Sequence, residues 1–131
     1  MPAVLIETRR AYSPQEETAL IEATHAALRE ALQLPPHDRI VRLVAHQPHR
    51  FACPPGKAQP DRFTLVSIDA FSGRSLAAKR LLYRAIVRNL AALGIPEDHV
   101  TIMLREAPRE NWGLRGGHAG CDVDLGFTVE A

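Results

Sequence analysis

Apolar runs and stretches of helical periodicity alternate along the chain. Val4-Leu5-Ile6 is a short apolar run followed by polar residues, the pattern of a buried strand. Ser13-Pro14-Gln15-Glu16 then reads as a helix start: Ser as N-cap, Pro at the first helical position, Glu closing a capping box. Leu20, Ile21, Thr24, Ala27, Leu28, Ala31 and Leu32 recur at helical spacing with charged residues between them. Pro35-Pro36 stops this helix, and Ile40, Val41, Leu43 and Val44 form a second strand.

The second half repeats the plan. Phe63, Leu65, Val66 and Ile68 predict a strand, and Ser72-Gly73-Arg74-Ser75 a turn into a helix. Leu81, Leu82, Ala85, Ile86, Leu90 and Leu93 supply that helix with an apolar stripe. Gly94-Ile95-Pro96 ends it, and Val100, Ile102 and Leu104 make a fourth strand. At an offset near 60 residues Leu5 falls on Leu65, Pro36 on Pro96, Ile40 on Val100 and Val44 on Leu104, with a one-residue slip between the helices. Such self-similarity predicts a duplicated β-α-β unit.

The expected fold is therefore α/β (α+β): a four-stranded sheet with two helices on one face, each crossover right-handed. A single domain over 1–131 would comprise a first unit (1–48), a linking loop (49–62), a second unit (63–108) and a tail (109–131). Pro48, Pro54, Pro55, Gly56 and Pro60 make the link an ordered loop or short hairpin. The tail is rich in glycine, with a short strand expected near Phe127-Thr128-Val129. Nothing left in the chain covers the bare face of the sheet, so association with other subunits is expected.

Composition narrows the class. The 131 residues are 46% hydrophobic and 24% charged, which suits one soluble globular domain with its own core. A net charge of +1 argues against affinity built mainly on phosphate neutralisation. No apolar run approaches the roughly 18–20 residues of a membrane span. The start lacks the basic region of a secretory signal, and the two cysteines, Cys53 and Cys121, form neither a disulfide framework nor a zinc spacing. A cytoplasmic protein is expected. His46, His49 and Cys53 have a metal-like spacing, but the prolines bend that loop and no fourth ligand is placed, so no metal is expected.

Pro2 carries the first candidate chemistry. Methionine before a small residue is usually removed, which would leave a secondary amine at the start of an apolar strand. Burial disfavours the charged form of such an amine, so it can take a proton from carbon or return one.

A proline directly after Met, opening a strand in a duplicated β-α-β chain, resembles the tautomerase superfamily. Further motifs resemble its subgroup of malonate semialdehyde decarboxylase and related tautomerases. They are Leu34-Pro35-Pro36-His37-Asp38-Arg39, Ser72-Gly73-Arg74-Ser75, Lys79-Arg80-Leu81-Leu82-Tyr83 and Glu110-Asn111-Trp112. The resemblance runs from residue 2 to about 115, and it implies Pro2 as general acid or base. It implies Arg74 as the partner of a substrate carboxylate, Asp38 as the acid that positions substrate or water, and Trp112 as part of a water-excluding wall. It also implies a homotrimer that needs no cofactor. Ser72 and Gly73 depart from the decarboxylase pattern, in which two arginines flank a proline. Only Arg74 remains as the carboxylate's cation, with Ser72 beside it, which makes malonate semialdehyde decarboxylation doubtful. Gly113-Leu114 stand where the subgroup has Ser-Phe.

The expected activity is tautomerisation of a small 2-keto or enol carboxylate, with decarboxylation or hydration of a three-carbon acid as the alternative. The rival from another class is a non-catalytic RNA-binding sheet, which needs aromatics clustered on its strands. At 5% aromatics, with no cluster on a strand, the chain does not fit that demand, so no nucleic acid and no membrane are expected as partners.

Overall fold

In the computed structural model, which describes residues 2–126, the first apolar run is strand β1 (Ala3–Thr8) and the first periodic stretch is helix α1 (Pro14–Leu32). Strands β2 (Val41–Ala45) and β3 (Thr64–Phe71) follow, then helix α2 (Leu76–Ala91) and strand β4 (Val100–Ala107). The expected strand at 127–129 lies outside the described residues.

The sheet order is β2-β1-β3-β4. Each half pairs its strands in parallel, and β1 meets β3 antiparallel down the centre. Two β-α-β crossovers thus lie side by side. Alternate strand residues Val4, Ile6, Val66 and Ile68 turn toward the helices and are completely buried. They pack with Leu20, Leu28 and Leu32 of α1 and with Leu82, Ile86 and Leu90 of α2, so both helices lie on one face. Each such large aliphatic contributes about 1.5–3 kcal/mol by leaving water.

The ends of α1 are as predicted at the start and different at the stop. Ser13 Oγ accepts from the Glu16 N–H, and the Glu16 carboxylate accepts from the Ser13 N–H, completing the capping box. At the other end Gln33 turns left-handed (φ 54°) before the prolines, so the helix stops two residues ahead of them. Helix α2 begins at Ser75, whose Oγ accepts from the Ala78 N–H.

The repeat needs a correction. Val4 faces Val41, whereas its counterpart Thr64 faces Val100, one residue nearer along the chain. Val41, not Ile40, therefore corresponds to Val100. Ile40 precedes β2 and is exposed, and Val44 points to the bare face. Leu81 and Leu93 also leave the predicted stripe of α2. Leu81 is exposed because Leu82, one residue on, already occupies the core side, and Leu93 lies beyond the helix end.

The link is an ordered loop with two 3-10 turns, Pro48–Arg50 and Pro60–Arg62, and it is no hairpin. Arg9 organises it by donating to three carbonyls, those of Phe51, Pro60 and Pro48. Buried His99 ties down its second half: Nδ1 bonds Asp98 at 2.7 Å, and Nε2 accepts from the Gln59 N–H at 3.0 Å. After β4 a short ribbon of β5 (Gly113–Leu114) and β6 (His118–Ala119) folds back, which the glycine content alone did not reveal. Among the described residues no helix is long and apolar enough to cross a membrane.

Candidate active site

Strand direction brings the sequence candidates to one end of the sheet. β1 and β2 run parallel, so Pro2 before one and Asp38 before the other lie at the same end. β3 runs against them and finishes there, leading through Ser72 to Arg74; β4 finishes beside it and leads to Trp112. Ala3 faces Asp69, the Val4 N–H donates to the Ile40 carbonyl at 2.8 Å, and the Ser72 N–H donates to the Ala107 carbonyl at 3.1 Å.

Pro2 is buried. Asp38 is buried too, and sits in a turn closed by its own N–H donating to the Pro35 carbonyl at 3.1 Å. Arg74 is half-buried and donates through Nη1 to the Leu32 carbonyl at the end of α1, 2.9 Å away. Burial pulls the Arg74 guanidinium below its ordinary range, and the negative charge of Asp38 opposes that shift. The group remains charged at any working pH. A buried carboxylate and a half-buried guanidinium thus share one field, the arrangement in which charge is worth most.

Ser72 is exposed, and Gly73 adopts φ 122°. A proline, locked near −65°, is unable to follow the chain here.

Trp112 is half-buried and meets Phe71 edge to face, with ring centroids 5.1 Å apart. Its indole N–H is sealed from solvent and finds no acceptor among the described residues. The β5–β6 ribbon is tied beneath it. Arg109 donates to the carbonyls of Gly120 and Val123, and the Gly120 N–H donates to the Trp112 carbonyl at 2.8 Å. Phe71, Arg109 and Gly120 escaped the sequence reading. An aromatic at the end of β3 was a usable signal for Phe71; nothing local marked the other two.

Two clefts lie away from this end. One of about 370 Å³ is lined by Tyr83, Arg84, Val87, Arg88 and Glu97; the other, about 160 Å³, is lined by Tyr12, Glu16, Ala19, Leu20 and Leu93. Neither includes Pro2, Asp38, Arg74 or Trp112. His46 of the metal-like spacing is engaged by Glu7, 3.0 Å from Nε2, and by the edge of Phe51. Among the described residues no three His, Cys, Asp or Glu side chains are grouped to hold a metal ion.

Comparison with known proteins places the fold. No curated protein matches the chain. Among solved structures, a malonate semialdehyde decarboxylase inhibited by 3-bromopropiolate is 26% identical, with a TM-score of 0.81 over 89% of this chain and 92% of that one. A protein inactivated by 2-oxo-3-pentynoate is 21% identical, with a TM-score of 0.83 over 93% of this chain and 99% of that one. A fused 4-OT asymmetric trimer is 18% identical, with a TM-score of 0.80 over 91% and 96%. The last two show the fold alone. A family model described as tautomerase enzyme matches residues 38–115, from the buried aspartate to the ribbon after Trp112. With that match over more than half its length, the chain belongs to the tautomerase family.

Proposed function

We propose that this protein is a cofactor-independent tautomerase that interconverts the keto and enol forms of a small 2-keto carboxylate. The observation that carries the reading is the convergence of Pro2, Asp38 and Arg74 at one end of the sheet, in a chain of the tautomerase family. After removal of Met1, the Pro2 nitrogen takes the enol proton and returns one to carbon. The net change moves one proton from oxygen to carbon and consumes nothing. Arg74 holds the carboxylate with charge-assisted bonds and stabilises the enolate as charge spreads toward it. Asp38 orients substrate or water beside the amine. Trp112 and Phe71 keep water out, which favours the neutral amine.

Assembly belongs to the same reading. The sheet face opposite the helices carries Leu5, Val44, Leu65 and Met103, with Val44 and Met103 exposed. A homotrimer that packs these faces together removes them from water and closes each site at a subunit boundary. A solved relative of the same fold is a trimer.

The second reading, decarboxylation or hydration of a three-carbon acid by protonated Pro2, is favoured by the 26% identity to a malonate semialdehyde decarboxylase. Ser72 weighs against it, because one cation must serve where that pattern has two. A direct comparison of 2-hydroxymuconate, phenylpyruvate and malonate semialdehyde as substrates separates the two. Efficient ketonisation with poor decarboxylation supports the first reading; the reverse order overturns it.

A further inference from the structure

The end of the sheet opposite Pro2 gathers two arginines around one tyrosine. β1 and β3 run antiparallel with Thr8 opposite Thr64, so Arg10 after one strand and Arg62 before the other lie at the same end. Both guanidiniums sit over the ring of Tyr12, with Cζ of Arg10 4.9 Å and Cζ of Arg62 5.6 Å from its centroid. Nη1 of Arg62 also donates to the Tyr12 hydroxyl at 3.4 Å. A Cβ on Gly94 would lie 3.8 Å from Nη2 of Arg62 and 3.9 Å from both Cζ and Nη1, so the guanidinium turns a flat face to that glycine. Stacking thus occupies faces and leaves N–H edges open. Neighbouring Arg9 directs its donors to three carbonyls and lies 3.6 Å from Asp61. Among the described residues neither Arg10 nor Arg62 forms an ion pair. The carboxylate that feels both is Glu16, whose Oε1 accepts from the Ser13 N–H at 3.0 Å. Its bonds to Ser13 hold it below the ordinary range, and the two arginine charges add to that effect. Two guanidiniums against this one carboxylate leave a single positive charge uncompensated. Beside them lies the cleft of about 160 Å³ lined by Tyr12, Glu16, Ala19, Leu20 and Leu93, and Leu93 is left exposed there.

We propose that this end of the molecule is a second binding site, for a small monocarboxylate with an apolar ring. The carboxylate takes the N–H edges of Arg10 and Arg62, and the ring enters the cleft against Tyr12, Ala19, Leu20 and Leu93. A guanidinium edge matches a carboxylate through charge-assisted bonds. One uncompensated positive charge suits a monoanion, and Glu16 repels a dianion such as phosphate more strongly. The cleft has the right size for a six-membered ring, since a cavity of about 150 Å³ holds benzene. The site shares no residue with Pro2, Asp38, Arg74 or Trp112, so it stands apart from the reaction proposed for the other end.

The test titrates the full chain with benzoate and follows the methyl NMR signals of Ala19, Leu20 and Leu93. Those signals should shift and saturate at millimolar benzoate, with weaker binding as salt is raised. Arg62→Met and Arg10→Met keep an apolar stem over Tyr12 and remove the charge. Each should weaken binding about tenfold, the scale of one charge-assisted bond. Benzamide, the same ring without the charge, should lose as much. Inorganic phosphate at the same concentration should leave the Leu93 methyls unmoved. The benzoate shifts should persist in Arg74→Ala protein, whatever that substitution does to turnover. Methyls that benzoate does not move overturn the proposal, as do shifts that vanish in Arg74→Ala. Benzamide binding as tightly as benzoate, or unchanged affinity in a folded arginine variant, overturns it as well. If Arg62→Met fails to fold, Arg10→Met decides. Phosphate saturating the same methyls overturns the assignment to a monocarboxylate.

Discussion

In the proposed reaction Pro2, Asp38 and Arg74 carry the chemistry at the end of the sheet, and the role of Arg74 makes a direct demand. Arg74→Ala removes one side of a partly buried charge pair and should cost about 2–5 kcal/mol in kcat/KM for carboxylate substrates. Arg74→Lys should recover only part, because an ammonium lacks the planar fork. An unchanged kcat/KM in Arg74→Ala would remove Arg74 from the site. His25 makes a demand on stability. Burial depresses its folded-state value below the ordinary one near 6.5, so the unfolded chain binds the extra proton first. Its contribution is fully present above about pH 6.5 and fades as pH falls from there through the depressed folded value. Melting curves between pH 5 and pH 8 should therefore be flatter in His25→Phe than in the wild type; parallel curves refute this. The sequence put forward Pro2, Asp38, Arg74 and Trp112, and strand direction brings them to one end of the sheet; their roles are the proposal. His25 was not read, because a histidine within an apolar stripe looks like any other core position until its burial is visible.

The elements were legible where one local signal decides them. The capping box at Ser13 fixed the start of α1 before any tertiary contact was known, and Ser13→Ala should cost about 1 kcal/mol of stability by denaturant unfolding. The ends failed where two signals compete. Pro35-Pro36 forbids helix, yet the left-handed Gln33 ends it first. The β5–β6 ribbon was illegible because its anchor is a close approach of backbone to backbone that no local pattern marks. A Cβ on Gly120 would come within 2.6 Å of the Arg109 carbonyl oxygen, so only glycine fits beneath that turn. Gly120→Ala should lift the ribbon from the only tryptophan, Trp112, and shift its emission to the red. An unshifted spectrum would show that the clasp does not set the environment of Trp112.

At the scale of the molecule, one helix-covered face and one bare face predict assembly, and in the proposed trimer assembly completes the site. Met103→Glu sets a charge on the bare face that also carries Leu5, Leu65 and Val44, and the proposed trimer should dissociate with loss of turnover. Light scattering and activity measured on one sample check both halves of that statement. Monomers at full turnover would separate the site from the interface. The duplicated plan was readable because each half repeats its apolar periods. How the halves join was readable only from the antiparallel β1–β3 pairing, which no local pattern specifies. That pairing sets Pro2 beside the approach to Arg74, and the account turns on the proline's nitrogen. The direct measurement compares ketonisation of 2-hydroxymuconate by two forms of this chain, one retaining Met1 and one beginning at Pro2, each verified by intact mass. The two differ at the reacting atom, an amide in one and a secondary amine in the other. The account predicts turnover in the form beginning at Pro2 and a loss of about 10²-fold or more in the other. Equal turnover by both forms would contradict it.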